Sequence, residues 1–548
     1  VQPLVDRAFD GKPETLAGDC VDPDGARNDI QQVQERKIAA IFIGDGTLGE
    51  GTLYESLNLA SGWRLPVLFI VENNHYAQST HTPATNAGTV SGRAVAFGLT
   101  YFHADTWDWP TLLETAKTAA QSARAGSPAL LEIETYRLNA HSKGDDNRDP
   151  AEIAAYQERD PLNAWMRAEP EWFAPLEGEI EHLLDEAQAA AEASALCAYR
   201  PPDTRPHQAV RWQPVREEAP RLRHADLIHQ ALDEALQKHP ELVILGEDIE
   251  GPYGGAFKVT KDLSLRYPGR VRNTPISEAA ITGVGGGLAL AGAPAVVEIM
   301  FGDFLGLTFD QFYNHAAKFA AMYNGKARVP LVVRTPMGGR RGYGPTHSQS
   351  IEKFFLGIPG LRVLALNQRC SPVETYAALF ADPDGPTLVI ENKVLYTRYL
   401  QTETPAGFQA WVSDERFPTL RISPMAPPQV TLLCYGGMLE EAEKAQAHLF
   451  DEEEILAEII CPQQLQPFNL APLAESVRRT RRLVTVEEGP RTAGFGAEAL
   501  ARLNEAGIFP LAARLLGYDG VIPACAPLET TLLPGADSIF QVARSLFA

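Results

Sequence analysis

Residues 44–74 read GDGTLGEGTLYESLNLASGWRLPVLFIVENN. The GDG triplet ends an apolar run, IAAIFIG, and a helical pattern, GEGTLYESLNLAS, follows it. A second apolar run, PVLFIVE, then ends at the asparagine pair 73–74. Both runs are apolar throughout, which is typical of parallel strands that helices cover on both faces. The stretch therefore places GDG and the asparagine pair at the carboxyl ends of neighbouring strands, where open α/β sheets bind ligands.

Two further regions of the chain repeat this alternation of apolar runs and helical patterns. The first region also holds ALLEIET; the second holds LVILGED, PAVVEIM, PLVVRTP, RVLALN and PTLVIEN; the third holds VTLLCYG, ILAEII, RRLVTVEEG and ARLLGYD. Since 548 residues exceed what one hydrophobic core supports, we predict three α/β domains. Their predicted bounds are 1–170, 223–400 and 429–548, with a helix and proline-rich linker over 171–222 and a linker over 401–428.

Composition excludes several classes of protein. Apolar residues make up 45% and no uninterrupted run of about 18 of them occurs, so we expect no membrane span. The formal net charge of −22 and the lack of a long basic run argue against nucleic acid as a partner. The excess acid would suit a basic protein partner, or it serves solubility alone. The six cysteines form no CxxC pair and the start shows no secretory signal, so we expect neither zinc nor disulfides, and a cytoplasmic setting.

The residue types at the two strand ends suit a magnesium ion beside a diphosphate. Mg²⁺ prefers oxygen ligands and usually shares them with phosphates. Asp45 offers a carboxylate, Asn74 an amide oxygen, and a backbone carbonyl near Tyr76 a third ligand. Gly44 and Gly46 would let the backbone approach the diphosphate at a helix start. The alternative is that GDG is an ordinary turn, which the 26 residues between the two motifs, together with both strands, disfavour.

Residues 44–80 resemble the thiamine-diphosphate motif of the α subunit of 2-oxoacid dehydrogenases. The resemblance implies thiamine diphosphate and Mg²⁺ as cofactors, with the side chains of Asp45 and Asn74 and the Tyr76 carbonyl as metal ligands and Thr47 as a further cofactor-binding residue. Downstream, YRLNAHSKGDDNRDP is similar to the family's His-Ser loop, which would place His141 near the diphosphate at the mouth of the substrate channel. The alternative is an exposed loop histidine.

From about residue 221 to residue 396, and more weakly to the end, the chain resembles the β subunit of the same family, and the branched-chain members more closely than the pyruvate dehydrogenases. The resemblance implies that Glu278, in PISE, activates the cofactor, and that His347, in THSQS, orients acyl transfer to a lipoyl arm. It also lets Phe301 and Phe304 line the pyrimidine pocket. The alternatives are a helix-capping glutamate, a packed or loop histidine and plain core aromatics.

The run GVGGGL at 283–288 is not a dinucleotide fingerprint, because it follows no strand and lacks the third glycine at the required spacing. We interpret it as a helix of small residues packed closely against its neighbour.

Together these features predict an α/β protein with a thiamine-diphosphate-binding fold. It would have a diphosphate domain and a pyrimidine domain, each with a parallel sheet, and a third domain like the transketolase C-terminal domain. The implied reaction is oxidative decarboxylation of a 2-oxoacid, with transfer of the acyl unit to a lipoyl-bearing acyltransferase core. The family binds its cofactor between domains of different subunits, so a homodimer is expected.

Two alternatives stay open. One is a stand-alone thiamine enzyme that passes the acyl unit to another acceptor. The other is a cofactor-poor scaffold that binds the acyltransferase without catalysing the reaction. Only 43 residues precede GDG, and the family's upstream motifs are missing from them. We therefore expect the first domain to be incomplete at its N terminus.

Overall fold

The computed structural model describes residues 37–142, 144, 146–196, 207–215 and 221–548. By its internal contacts the chain divides into two compact units, one within 21–201 and the other extending from 202 to the C terminus.

The first unit contains a four-stranded sheet, a short hairpin and six helices in its described part. The strands are β1 (Ala39–Gly44), β2 (Val67–Asn73), β3 (Tyr76–Ala77), β4 (Thr80–His81), β5 (Thr100–Asp105) and β6 (Ala129–Glu134). The helices are α1 (Gly51–Gly62), α2 (Val90–Ala96), α3 (Trp109–Arg124), α4 (Pro150–Arg159), α5 (Pro161–Ala168) and α6 (Pro170–Ala193).

The main sheet of this unit has the order β1-β2-β6-β5, and every pairing in it is parallel. The three strands expected from their apolar runs are confirmed. The fourth, β5, was missed because its sequence, TYFHAD, mixes polar and apolar residues. One detail differs from expectation. Strand β1 forms an edge among the described residues, and its side chains are largely exposed, Phe42 to 65%.

Local sequence explains where two of the helices begin. Both α4 and α5 start at an Asp-Pro pair, because proline at the first helical position already has the right φ and needs no N–H partner. The preceding aspartates cap the helices: Asp149 Oδ1 accepts from the Ala151 N–H at 2.9 Å, and Asp160 Oδ1 from the Leu162 N–H at 3.4 Å.

The second unit carries two seven-stranded sheets. Its strands are β7 (Trp212–Pro214), β8 (Val243–Gly246), β9 (Val271–Asn273), β10 (Ala295–Glu298), β11 (Leu331–Met337), β12 (Arg362–Ala365), β13 (Thr387–Asn392), β14 (Phe408–Ser413), β15 (Thr419–Pro424), β16 (Val430–Cys434), β17 (Ala457–Pro462), β18 (Gln464–Gln466), β19 (Arg482–Pro490) and β20 (Ala512–Tyr518). Its helices are α7 (His224–Lys238), α8 (Leu263–Arg266), α9 (Glu278–Leu290), α10 (Phe319–Met322), α11 (Pro372–Ala381), α12 (Met438–Glu453), α13 (Ala471–Thr480), α14 (Phe495–Glu505), α15 (Ala526–Leu532) and α16 (Ala536–Arg544).

The first of these sheets has the order β18-β12-β13-β11-β10-β8-β9 and is parallel except for β18. The second has the order β20-β19-β16-β17-β15-β14-β7, with a parallel half, β20 to β17, and an antiparallel half. The five strands predicted for the second region and the four for the third are all present. The α/β fold with parallel sheets is therefore confirmed.

The interpretation of residues 401–428 as a linker is wrong in part. Strands β14 and β15 lie inside that tract and pair antiparallel with each other and with β7 and β17. The prolines of the tract suggested a linker, but alternate side chains of β15 are buried, which is the pattern of a strand. Within 171–222 the predicted helix is α6, but the tract predicted as a proline-rich linker also contains strand β7, which pairs with β14. Residues 197–206 and 216–220 lie outside the described part.

The glycine-rich run at 283–288 is helical, as predicted, and lies in α9. A Cβ added at Gly285 would stand 2.6 Å from Val297 Cγ2 and 2.8 Å from Leu331 Cδ1. Helix α9 therefore approaches β10 and β11 more closely than a larger residue would allow. This close packing places the start of α9, which carries Glu278, over the sheet.

A buried ion network ties three strands of the same sheet together. The Arg334 guanidinium, on β11, pairs with Glu298 on β10 and with Glu391 on β13. Tyr376 and Tyr396 donate to Glu391 at 2.6 and 2.7 Å, so its carboxylate has full hydrogen bonding despite burial. The network fixes the strand end from which the segment bearing Phe301 leaves the sheet.

The described cysteines are free. Cys370, Cys434 and Cys461 are buried and Cys525 is exposed, while Cys20 and Cys197 lie outside the described part. No helix in the described ranges is long and apolar enough to cross a membrane.

Candidate active site

The GDG triplet lies at the carboxyl end of β1, as predicted. Gly44 is the last residue of the strand, and Asp45 begins a 3-10 helix, Asp45–Gly49, that leads into α1. The register pairs Gly44 with Glu72 of β2, two residues before Asn74. The structure therefore brings Asp45 and Asn74 to the same edge of the sheet.

The loop after β2 is shaped by the asparagine pair. Asn73 Oδ1 accepts from the His75 N–H at 3.2 Å, and Asn74 Oδ1 accepts from the Tyr76 N–H at 3.0 Å. These contacts hold His75 at a φ of 63° and turn the chain into the hairpin of β3 and β4. A Cβ at Gly46 would lie 3.0 Å from Ala77 Cβ, so glycine is needed where this hairpin meets GDG.

Thr82 joins the two halves of this site. Its hydroxyl donates to the Asp45 carboxylate, and its N–H donates to the His75 carbonyl at 2.8 Å. Asp45 is only 1% exposed, and no Lys, Arg or His within the described ranges forms an ion pair with it. A buried carboxylate that faces only neutral donors is electrostatically uncompensated. The donor set fits a hard cation held by Asp45, Asn74 and a loop carbonyl.

Behind the loop lies an acidic residue that the sequence analysis missed. Glu132, buried on β6, accepts from Asn73 Nδ2 at 2.7 Å and from Tyr101 Oη at 2.6 Å. Its neighbour Glu134 lies 3.0 Å from His75 Nε2. Both glutamates fix the orientation of the loop, and their presence in the otherwise apolar run ALLEIE was the signal available in the sequence.

His141 lies in an exposed loop after β6. The loop is joined to the β3–β4 hairpin because Arg137 Nη2 donates to the Gln78 carbonyl at 2.6 Å. Arg148 holds its base: Nη2 donates to the Asn139 carbonyl at 3.1 Å and pairs with Asp146 at 2.6 Å. The structure thus places the loop of His141 beside the β3–β4 hairpin, which follows the asparagine pair.

In the second unit Glu278 is the first residue of α9 and is 6% exposed. Glu278 therefore lies in the first turn of the helix, one residue after the N-cap residue Ser277, and no side-chain capping bond forms at this helix start. Glu247, directly after β8, lies close enough for its charge to interact with that of Glu278. Burial, followed by the negative charges of Glu278 and Asp248, raises the pKa of Glu247 to about 7.

Glu247 was quoted in GEDI but given no role in the sequence analysis. Its Oε1 is buried without a hydrogen-bond partner among the described residues. An orphaned buried oxygen beside Glu278 fits a pocket that receives a polar ring. The signal in the sequence was an acidic pair immediately after a buried strand.

His347 packs against both predicted aromatic residues. Its ring centroid lies 4.7 Å from that of Phe301 and 5.3 Å from that of Phe304, both in edge-to-face geometry. Thr346 Oγ1 lies 2.9 Å from His347 Nδ1. Helix α9 packs against the 3-10 helix Gly302–Thr308 that carries Phe304. The structure therefore brings together Phe301, Phe304 and His347, and sets Glu278 on the helix beside them.

Three family models match successive parts of the chain. They are "Dehydrogenase E1 component" over residues 17–172, "Transketolase, pyrimidine binding domain" over 222–398 and "Transketolase, C-terminal domain" over 425–539. Their order is the one predicted for the diphosphate, pyrimidine and C-terminal domains.

Curated relatives match as well. The chain is 36% identical over 330 residues to the pyruvate dehydrogenase E1 component subunit beta-1 of Arabidopsis thaliana, which covers 58% of this chain and 87% of the relative. It is 33% identical over 334 residues to the beta subunit of acetoin:2,6-dichlorophenolindophenol oxidoreductase from Cupriavidus necator, covering 58% and 95%. Neither relative tests the nearer resemblance to branched-chain members, which stays a prediction. The chain belongs to the thiamine-diphosphate-dependent 2-oxoacid dehydrogenase family, as a first (E1) component whose α-like and β-like parts are fused in one polypeptide.

Proposed function

We propose that this first component decarboxylates a small 2-oxoacid, pyruvate or a branched-chain 2-oxoacid, and passes the acyl group to a lipoyl group on an acyltransferase core. The observation that carries the proposal is the packing of His347 against Phe301 and Phe304 beside the helix of Glu278. That cluster combines one titratable ring with an apolar wall. A proton can be held or moved by the imidazole beside that wall.

The diphosphate end of the cofactor would be held in the first unit. Asp45, Asn74 and the Tyr76 carbonyl would bind Mg²⁺, which completes its shell with diphosphate oxygens. Gly44, whose Cβ position is open, leaves room for the diphosphate just before the 3-10 helix, and Gly46 lets the β3–β4 hairpin approach closely. Thiamine diphosphate, when bound, supplies the carbanion chemistry that decarboxylation needs.

In the second unit, Glu278 would form a hydrogen bond with the pyrimidine ring nitrogen of the cofactor. Its burial keeps water from competing for that bond. Burial and the neighbouring negative charges raise the pKa of Glu247 to about 7, which lets this carboxyl carry a proton near neutral pH. The pair can therefore carry one proton between two carboxyl groups without two full negative charges standing side by side.

His347 is proposed to orient the acyl acceptor and to carry the proton that acyl transfer to a dithiolane sulfur requires. His141 is proposed to lie near the diphosphate at the channel mouth. The proposal includes a homodimer, since the resemblance implies a cofactor shared between subunits, and a cytoplasmic location.

Replacing His347 with alanine tests the assignment to lipoyl transfer. We expect acyl transfer to a lipoylated domain to slow by about 10²-fold, the lower end of what a positioned acid or base contributes. Decarboxylation, followed with an artificial dye as electron acceptor, should slow no more than that. The matched control is His448→Ala, which removes an exposed histidine on α12. Wild-type rates in both assays for His347→Ala would make His347 a structural residue.

The alternative is an enzyme that delivers the acyl unit to another acceptor. It predicts decarboxylation without any acylation of a lipoylated domain, in the wild-type chain as well as in the variant. The same pair of assays therefore separates the two functions.

A further inference from the structure

Behind His347 lies a buried lysine that the proposed reaction does not use. Lys393 follows β13 directly and is 0% exposed. Its ammonium group donates a hydrogen bond to the main-chain carbonyl of His347. The Nζ atom lies 5.3 Å from the ring centroid of Phe301 and 5.6 Å from that of Tyr343, within the range of a cation–π contact. One cation thus contacts both the backbone of His347 and a ring against which its imidazole packs.

A second contact holds the other side of the same turn. Asp303, between the two phenylalanines, accepts from the Gln349 N–H at 3.2 Å. The Gln349 side chain donates to the Pro345 carbonyl at 2.8 Å and accepts from Tyr518 Oη at 3.0 Å. The turn is therefore fixed before and after His347, and Lys393 supplies the contact at His347 itself.

Burial of this lysine is costly. Burial lowers the pKa of Lys393 to about 8, although the carboxylates of Asp303, Glu488 and Glu529 favour its charged form and Arg341 opposes it. A methionine of similar length would fill the same space without that desolvation cost. Because a buried ammonium group costs free energy that an apolar side chain would avoid, its contact with His347 points to a role in the site.

We propose that Lys393 is a positioning residue that holds the imidazole of His347 against Phe301 and Phe304 for acyl transfer. It acts through the His347 carbonyl and does not touch the substrate. The inference rests on the proposed role of His347, and the test keeps the two separate.

The test compares Lys393→Met with wild type in the two assays used for His347. A misplaced catalytic group costs on the order of tenfold to a hundredfold in rate. We therefore expect acyl transfer to the lipoylated domain to slow by that factor, and dye-coupled decarboxylation to change by about twofold at most. The matched control is Lys353→Met. Lys353 also donates to a main-chain carbonyl, that of Thr492 at 2.6 Å, and lies 5.4 Å from a phenylalanine ring, but it does not contact His347.

A double-mutant cycle shows whether Lys393 acts through His347. Independent sites add within about twofold in rate, so a structural lysine would slow transfer in the His347→Ala background as much as in wild type. We expect Lys393→Met to have almost no further effect there. Equal losses in both assays, or full additivity with His347→Ala, would overturn the inference.

The remaining outcomes are also decisive. If Lys393→Met and Lys393→Gln both fail to give a cooperative thermal transition, the lysine is structural and the inference is wrong. If His347→Ala leaves acyl transfer unchanged, the proposed function of His347 is wrong. If His347→Ala slows acyl transfer and Lys393→Met does not, the role of His347 stands and the inference about Lys393 is wrong.

Discussion

Replacing Glu278 with glutamine is expected to preserve the fold and to slow proton exchange at the thiazolium carbon of the bound cofactor by roughly 10²–10³-fold. That is the usual cost of losing one preorganised catalytic hydrogen bond. Glutamine keeps the size of the side chain and its place at the start of α9, but its amide cannot share a proton with the pyrimidine nitrogen. Because Glu278 is buried, a water molecule cannot replace the hydrogen bond that the variant loses.

The exchange is followed by NMR after quenching, with the full chain, thiamine diphosphate and Mg²⁺. Glu241→Gln is the matched control, since that glutamate is exposed and lies before β8, outside the pocket. Cofactor affinity is measured in parallel, so that slow exchange is not mistaken for weak binding. Wild-type exchange in a Glu278→Gln chain that binds cofactor would refute the activating role.

The second large effect is expected at the metal site. Asp45→Asn should weaken Mg²⁺-dependent binding of thiamine diphosphate by more than roughly 10²-fold, because changes to residues that only orient metal ligands already cost up to that much. The substitution keeps the shape of the side chain and a hydrogen-bond acceptor for Thr82, and removes only the charge. Asn74→Ala should act in the same direction, since it removes the amide oxygen.

Binding is measured by quenching of intrinsic fluorescence, with Mg²⁺ and with a chelator. Asp105→Asn is the matched control: Asp105 also ends a parallel strand of this sheet, but its Oδ1 accepts from the Trp107 and Asp108 N–H groups, 2.8 and 2.9 Å away. Affinities equal to wild type in Asp45→Asn and Asn74→Ala would show that the metal, if one binds, lies elsewhere.

Much of the fold could be predicted because most of its strands are continuous apolar runs. β2, β11 and β13 are buried along most of their length, and their continuous apolar sequences indicate this burial. β14 and β15 were missed because antiparallel strands at the side of a sheet alternate in burial and stand among prolines. β9, only three residues long, leaves too little pattern to recognise.

The candidate site also contains some residues that the sequence could predict and others that it could not. Asp45 and Asn74 could be predicted because strand topology alone brings the ends of adjacent parallel strands together. The partners of Glu132 and Lys393 could not, because each acts on a residue far away in the sequence. Glu132 holds Asn73 from 59 residues away, and Lys393 holds His347 from 46. Such contacts depend on tertiary packing, which no local pattern records.

One measurement tests the account as a whole: mass spectrometry of a lipoylated acyltransferase domain after incubation with the full chain, thiamine diphosphate, Mg²⁺ and a 2-oxoacid. Pyruvate and a branched-chain 2-oxoacid are compared. We predict that the domain gains one acyl group on one dithiolane sulfur and a hydrogen on the other, with release of one CO₂, only when cofactor and metal are both present. Release of CO₂ from a 2-oxoacid without any acylation of the domain would contradict the proposed function.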